Sequence, residues 1–337
     1  MLILLAVFGA YAQTIFYPFV HDEVVFIEES PDMDHFRDLS AHFSHKGGGQ
    51  SGRQYVRPVL ALAYRLIYRI AGAHPGVYHM FNILLHAGTG CMVFLLLRVL
   101  GLRRMLAVGI TGVFLLHPIQ TESVACVSGM SNTLYAFLSL GSMMFFLSYV
   151  LHPEREGNNL FLFGSWTAFL LALGVKEQAA VIPMLMLSVI FLFRSRPGFS
   201  MTRAKISVGG FGLLFFLYLA WRKIFLGVFF PFPVAFSHEL FLRIMAIPRT
   251  LLLYVRLLIF PKGLHYYRTV DILQLKPVVN VLAILVCAAV VMLVRRMRER
   301  KLAVFGLLWF LITLLPVLNI IPIIHEYSFV AAFEHFL

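Results

Sequence analysis

An all-α polytopic membrane protein with about nine to eleven transmembrane helices is the fold class that this 337-residue sequence predicts. Three observations carry the prediction. The chain is 60% hydrophobic and 13% charged, about half the charged share of an ordinary globular domain, and its mean hydropathy is +0.84. Apolar stretches near the ~20 residues that span a bilayer recur from end to end, which points to one membrane-embedded unit covering 1–337. The cations gather in short loops between those stretches, at Arg98, Arg103 and Arg104, at Arg194, Arg196, Arg203 and Lys205, and from Arg295 to Lys301. This is the positive-inside pattern, so the net charge of +12 reports topology and no nucleic-acid partner is expected.

Taken in order, the first stretch, 1–20, lacks a basic leading region and ends in Tyr17-Pro18-Phe19 where a signal peptide would show small residues; it reads as a retained helix. Further helices are expected near 76–100, 105–117, 131–151, 159–174, 177–194, 206–222, 277–294 and 302–322. In the first outer loop, 21–75, amphipathic juxtamembrane helices are expected at 33–45 and 58–71 around a flexible 47–52 stretch, with Arg65 and Arg69 marking a polar stripe on the second. Parity requires 223–260 either to cross once or to stay on the outer side with a re-entrant portion. Its helical part, 241–260, carries Arg243, Arg249 and Arg256 near one face, so a helix lying in the interface competes with a span.

Alternating through these helices collects the acids on the non-cytoplasmic side. Seven of the sixteen fall between Asp22 and Asp38, and Glu122, Glu177, Asp271, Glu326 and Glu334 join them. Ionisable groups at a membrane boundary are costly unless solvated or paired, so such a cluster is a candidate functional site. Asp22 and Glu23 follow the end of the first helix directly, which suits a general base with an orienting partner. Solvated loop acids are the plainer alternative. His21, His35, His42 and His45 are too irregularly spaced for a zinc site, and Cys91, Cys126 and Cys287 are scattered through apolar segments.

An ordered set of short elements adds to this pattern. Asp22-Glu23 is followed by Arg57-Pro58, by His79, Asn82 and His86, by His117-Pro118-Ile119-Gln120-Thr121-Glu122, by Lys176-Glu177, by Pro261 and Leu264, and by Leu315, Pro316 and Asn319. In this the chain resembles the membrane half of the transmembrane and tetratricopeptide repeat-containing O-mannosyltransferase family and its bacterial relatives, within the GT-C superfamily of polyprenyl-phosphate-sugar-dependent glycosyltransferases. Where relatives often carry Gly-Arg followed by an acid, this chain has Gly129-Met130-Ser131-Asn132. A late family element opens at Glu334 and breaks off at Leu337, so the natural protein is expected to continue into further helices and helical repeats.

The resemblance implies transfer of a sugar from a polyprenyl-phosphate donor to a hydroxyl acceptor, a protein Ser/Thr or a glycan, at a face open to periplasm or endoplasmic reticulum lumen. It implies Asp22 as the base, with Glu23 and Glu122 orienting the acceptor. Arg57, Lys176, Lys262, His265 and Arg268 would meet the donor phosphate, and His79, Asn82, His117, Glu177 and Glu334 the acceptor or sugar. No cofactor is expected to be required, although Mg or Mn could sit at Asp22, Glu23 and Glu122, since clustered carboxylates suit a hard cation. Membrane lipid and membrane partner subunits are the other expected partners. Two alternatives stay open: a transporter or flippase for the same lipid-linked sugar, and a catalytically silent membrane scaffold.

Overall fold

The structure, a computed structural model, describes residues 2–20, 23–28, 57–226, 238–264, 268–271, 277–318 and 329–332. Asp22, His265 and Glu334 lie outside the described residues, as does the expected helix at 33–45. Pro75–Val99, Met130–Leu151, Met201–Phe225 and Val278–Arg296 are long and apolar enough to cross a membrane, and Ile3–Phe16, Arg104–Leu116, Asn159–Val175 and Glu177–Phe193 are shorter apolar helices. The chain is an all-α integral membrane protein, and its described residues group into two compact units, Met1–Met186 with Arg194–Phe229 and Leu187–Phe193 with Phe230–Leu337.

In the first unit, α1 (Leu2–Tyr11) is shorter than its apolar run, and a 3-10 turn takes Ala12–Phe16. Thr14 explains the change, because its hydroxyl donates to the Tyr11 carbonyl at 2.8 Å, and Pro18 then bars any return to helix. α2 (Pro58–Ala71) starts on Pro58, whose missing N–H costs nothing in a first turn, and stops at Gly72 with φ +59°. The polar stripe expected on α2 is split: Arg69 is exposed, whereas Arg65 is only 1% exposed and points inward beside Leu60 and Ile67. The face turned outward is instead apolar, with Leu62, Leu66 and Ile70 in line.

The bundle proper comprises α3 (Pro75–Val99), α4 (Arg104–Leu116), α5 (Thr121–Ala125), α6 (Met130–Leu151), α7 (Asn159–Val175) and α9 (Met201–Leu226). α8 (Ile182–Phe193) follows a 3-10 turn at Glu177–Val181 and is divided between the units. With no hydrophobic gain available between helices in lipid, close packing of small and aromatic residues has to hold them. Ser142 and Ser165 exchange hydroxyl-to-carbonyl bonds of 2.8 and 2.7 Å between α6 and α7. Trp166 on α7 donates its indole N–H to the Ser207 carbonyl at 3.1 Å and packs so closely on Gly210 that a Cβ there would run into the ring. Phe211 sits edge-on to Phe169 at 5.1 Å and to Phe146 at 6.5 Å.

The two ends of this unit differ chemically. At one end arginines satisfy carbonyls where helices stop: Arg196 donates to Val99, the last residue of α3, at 2.8 Å and Arg203 to Pro153, in the turn after α6, at 2.7 Å. The other end is a network of carboxylates, amides and buried cations.

The second unit holds α10 (His238–Ile259), α11 (Pro277–Arg296) and α12 (Arg300–Leu314). Tyr254 and Leu314 form a small core with Leu251, Leu253 and Phe310. The three arginines of α10 do not share one environment, since Arg243 is 3% exposed, Arg249 half-buried and Arg256 exposed. β1 (Arg268–Asp271) pairs antiparallel with β2 (Phe329–Ala332), Arg268 opposite Ala332, a short ladder beside the expected helices.

The turn between α5 and α6 closes so tightly that a Cβ on Gly129 would lie 2.4 Å from the Ser123 carbonyl oxygen and 2.7 Å from that of Glu122. Gly129→Ala is therefore expected to cost about 1–3 kcal/mol, because backbone must shift. Gly209→Ala meets nothing within 4 Å and should leave the melting temperature of the detergent-purified protein unlowered.

Candidate functional site

The site end of the first unit is organised by the segment 117–133. His117 closes α4, and its Nδ1 accepts the Ile119 N–H at 3.3 Å, capping the 3-10 turn Pro118–Gln120. α5 follows, then the turn containing Gly129. Into this fold-back reaches Asn82, fully buried on α3. Its amide donates to the carbonyls of Ser123 and Val124 at 3.0 Å and of Cys126 at 2.9 Å, while its oxygen accepts from the Thr133 hydroxyl. His79 and His86 lie on the same face of α3 and are also buried. The ring of His79 meets Tyr17 edge-on at 6.4 Å, and His86 Nε2 pairs with the Leu115 carbonyl at 3.1 Å.

Glu23 fastens the end of the first apolar segment to the same turn. Its carboxylate is 3% exposed and accepts the Val20 N–H at 3.1 Å through one oxygen and the Ser128 N–H at 2.7 Å through the other. Glu122 is half-buried nearby. The charges of Glu23 and Glu122, after burial, both push the Cys126 thiol up, to about 11. The two carboxylates therefore face one small region. No group of three or more His, Cys, Asp or Glu residues that could hold a metal occurs among the described residues.

A cation cluster adjoins this network. Lys176, at the C-terminal end of α7, is 6% exposed and donates to the Asn132 side-chain oxygen, whose amide in turn donates to the Ser123 hydroxyl at 3.3 Å. Burial and then the Arg57 guanidinium hold the Lys176 ammonium down at about 7, against the opposing charges of Glu177 and Glu122. Glu177 stands between two arginines, 3.7 Å from Arg57 Nε and 3.5 Å from Arg222 Nη1. Arg222, on α9, is 2% exposed and also donates to the Tyr218 hydroxyl at 3.2 Å. Two guanidiniums thus share the single carboxylate of Glu177, a local excess of positive charge suited to a phosphate.

Of the residues singled out from sequence, Glu23, Arg57, His79, Asn82, His117, Glu122, Lys176 and Glu177 all belong to the first unit. Lys262, exposed in the turn after α10, and Arg268, in β1, belong to the second. Arg222 was missed. The expected helix 206–222 ended on it, whereas α9 runs on to Leu226; the signal was Tyr218 one turn before it and Trp221 beside it, an interfacial pair.

Asn82→Ala should leave three carbonyls of the turn without their donor, at a cost of about 2 kcal/mol. The expected result is a lower melting temperature with faster proteolysis at 117–133.

No family model and no solved structure matches the chain. It is similar to the protein O-mannosyl-transferase TMTC3 of Homo sapiens, 29% identical over 188 residues that cover 54% of this chain and 20% of that protein. Similar, too, are Tmtc1 of Drosophila melanogaster, 35% identical over 107 residues (32% of this chain, 12% of that protein), and TMTC4 of Homo sapiens, 29% identical over 163 residues (43% and 21%). The matches thus span about a fifth of those proteins or less, and over those stretches the chain is a relative of the protein O-mannosyl-transferases TMTC1 to TMTC4.

Proposed function

We propose that this protein is a GT-C-type membrane glycosyltransferase that moves a sugar from a polyprenyl-phosphate donor to a hydroxyl, in the first instance of a protein Ser or Thr, at the non-cytoplasmic face. The observation that carries the reading is the cluster of Arg57, Lys176 and Arg222 around Glu177, joined through Asn132 and Ser123 to the turn that Glu23 also grips. The names of the relatives supply the sugar-transfer chemistry. A transporter would place its ionisable groups near the midplane, whereas Arg57 caps the start of α2, Lys176 follows the end of α7, and Arg222 lies near the end of α9.

In the proposed reaction the acceptor hydroxyl gives its proton to the Asp22 carboxylate, and its oxygen bonds to the anomeric carbon. The bond from that carbon to the phosphate oxygen breaks, and the polyprenyl phosphate leaves with the electron pair. Arg57 and Lys176 stabilise the charge that develops on the leaving phosphate. Glu23 is a positioning residue, since both of its oxygens hold backbone N–H groups and it immediately follows Asp22 in the chain. Glu122 and Glu177 balance the cations. Lys262, His265, Arg268, His79, His117 and Glu334 remain proposed contacts, and no step draws on a metal.

Asp22→Asn is expected to lower transfer about 10²- to 10⁴-fold, the range of a general base, with the melting temperature unchanged. Equal transfer by both proteins, measured with a polyprenyl-phosphate mannose and a Ser/Thr peptide, would remove Asp22 from the mechanism. A pH profile gives a second check. Lys176 assists the phosphate only when protonated, and its pKa is lowered to about 7, so the donor KM should rise as pH increases through 7. Lys176→Arg, which stays charged, should flatten that rise.

A further inference from the structure

Arg222 carries hydrogen-bonding capacity that the protein leaves unused. Its Nη1 is occupied by Glu177 and Tyr218, yet among the described residues nothing accepts from Nε or Nη2, although the side chain is 2% exposed and both atoms are shut off from water. A buried guanidinium with three of its five N–H donors idle is costly, and a group of this kind calls for a partner. Nε and Nη2 form the side-on fork of the guanidinium, two parallel N–H groups spaced to meet two oxygens of one phosphate or carboxylate.

Two further features select the partner. The immediate charge is positive, with the guanidiniums of Arg57 and Arg222 sharing the one carboxylate of Glu177, so the partner is an anion. Arg222 also lies next to an aromatic run on α9, where Tyr218 stacks on Trp221 at 6.0 Å and Trp221 packs on Phe225 at 5.8 Å. Tyr and Trp concentrate at the headgroup level of a bilayer, the depth at which a membrane-held phosphate lies.

We propose that the Nε/Nη2 fork of Arg222 binds two oxygens of a membrane-lipid phosphate, the phosphate of a polyprenyl phosphate, with Glu177 and Tyr218 fixing the orientation of the fork through Nη1. The proposal rests on the glycosyltransferase reading for the identity of the lipid. It adds a ligand contact from within a membrane helix to the loop and helix-end cations Arg57 and Lys176.

The test uses the full chain in nanodiscs of neutral lipid, with binding of undecaprenyl phosphate, dolichyl phosphate and phosphatidylglycerol each followed by native mass spectrometry and thermal shift. Arg222→Gln is expected to weaken polyprenyl-phosphate binding about tenfold or more, and Arg222→Lys, which keeps the charge but loses the fork, to weaken it by several fold at an unchanged melting temperature. Arg155→Gln, an exposed arginine at the opposite end of the unit, should bind as the wild type does. Unchanged polyprenyl-phosphate binding by a folded Arg222→Lys overturns the proposal. Equal losses for phosphatidylglycerol and the polyprenyl phosphates would keep a phosphate at the fork but overturn the polyprenyl assignment. Sugar-transfer assays separate the two readings: transfer by wild type with the donor KM unmoved in Arg222→Lys sinks this site and leaves the enzyme standing. Arg222-dependent lipid binding without transfer does the reverse.

Discussion

One side chain holds the site end of this protein together. The Asn82 carboxamide lies in the buried heart of the first unit and meets three backbone carbonyls and one hydroxyl of a segment more than forty residues away. Within a bilayer, backbone that leaves the helical path must find its partners inside the protein. The stretch between α4 and α6 does so through Asn82, Tyr64, whose hydroxyl donates to the Val127 carbonyl at 3.0 Å, and Glu23. Ser123, Glu122 and Asn132 take their places from that one fixed turn, and Lys176 and Glu177 take theirs in relation to it.

The charges that sit on this scaffold are balanced against desolvation. Removing an ion from water costs several kcal/mol even after relaxation, which is why buried cations are paired or shift their protonation. Lys176 does both, donating a hydrogen bond to Asn132 and titrating far below an exposed lysine. Arg57 and Arg222 cannot shed a proton and instead share Glu177. A single carboxylate divided between two guanidiniums leaves each of them under-neutralised, and so receptive to a further anion. Asn132 fits this logic: a carboxylate at that position would cancel the charge of Lys176, whereas the amide oxygen accepts a hydrogen bond from it and adds no opposing charge.

Much of the fold was legible in the sequence because lipid imposes length and apolarity, and both are countable. The expected helices at 131–151 and 159–174 correspond to Met130–Leu151 and Asn159–Val175, and the amphipathic helix at 58–71 is Pro58–Ala71. What failed depended on partners remote in sequence. Nothing local says that Arg65 turns inward and Arg69 outward, since both satisfy the same periodicity. The early stop of α1 comes from a hydroxyl bonding back to its own backbone, a competition that composition does not register. At the site, single residues such as Asn82 and Lys176 could be flagged by type, but their pairing with Ser123 and Asn132 exists only once α3, α6 and α7 have packed. Arg222 escaped because a cation at the end of an apolar run reads as its boundary, when the helix carries it one turn further.

The outward leucines of α2 have a mechanical meaning. Arg57 heads that helix and is tied to Glu177, while Leu62, Leu66 and Ile70 project from its flank. An apolar flank of this kind suits a helix lying at a membrane interface, and the ion pair ties the head of the same helix to the charge cluster. Bilayers differ in thickness by a few ångströms, and protein elements tilt or shift to follow them at a modest cost. With such a helix seated at the interface, a tilt of α2 that followed bilayer thickness would also move the Arg57 guanidinium relative to Glu177.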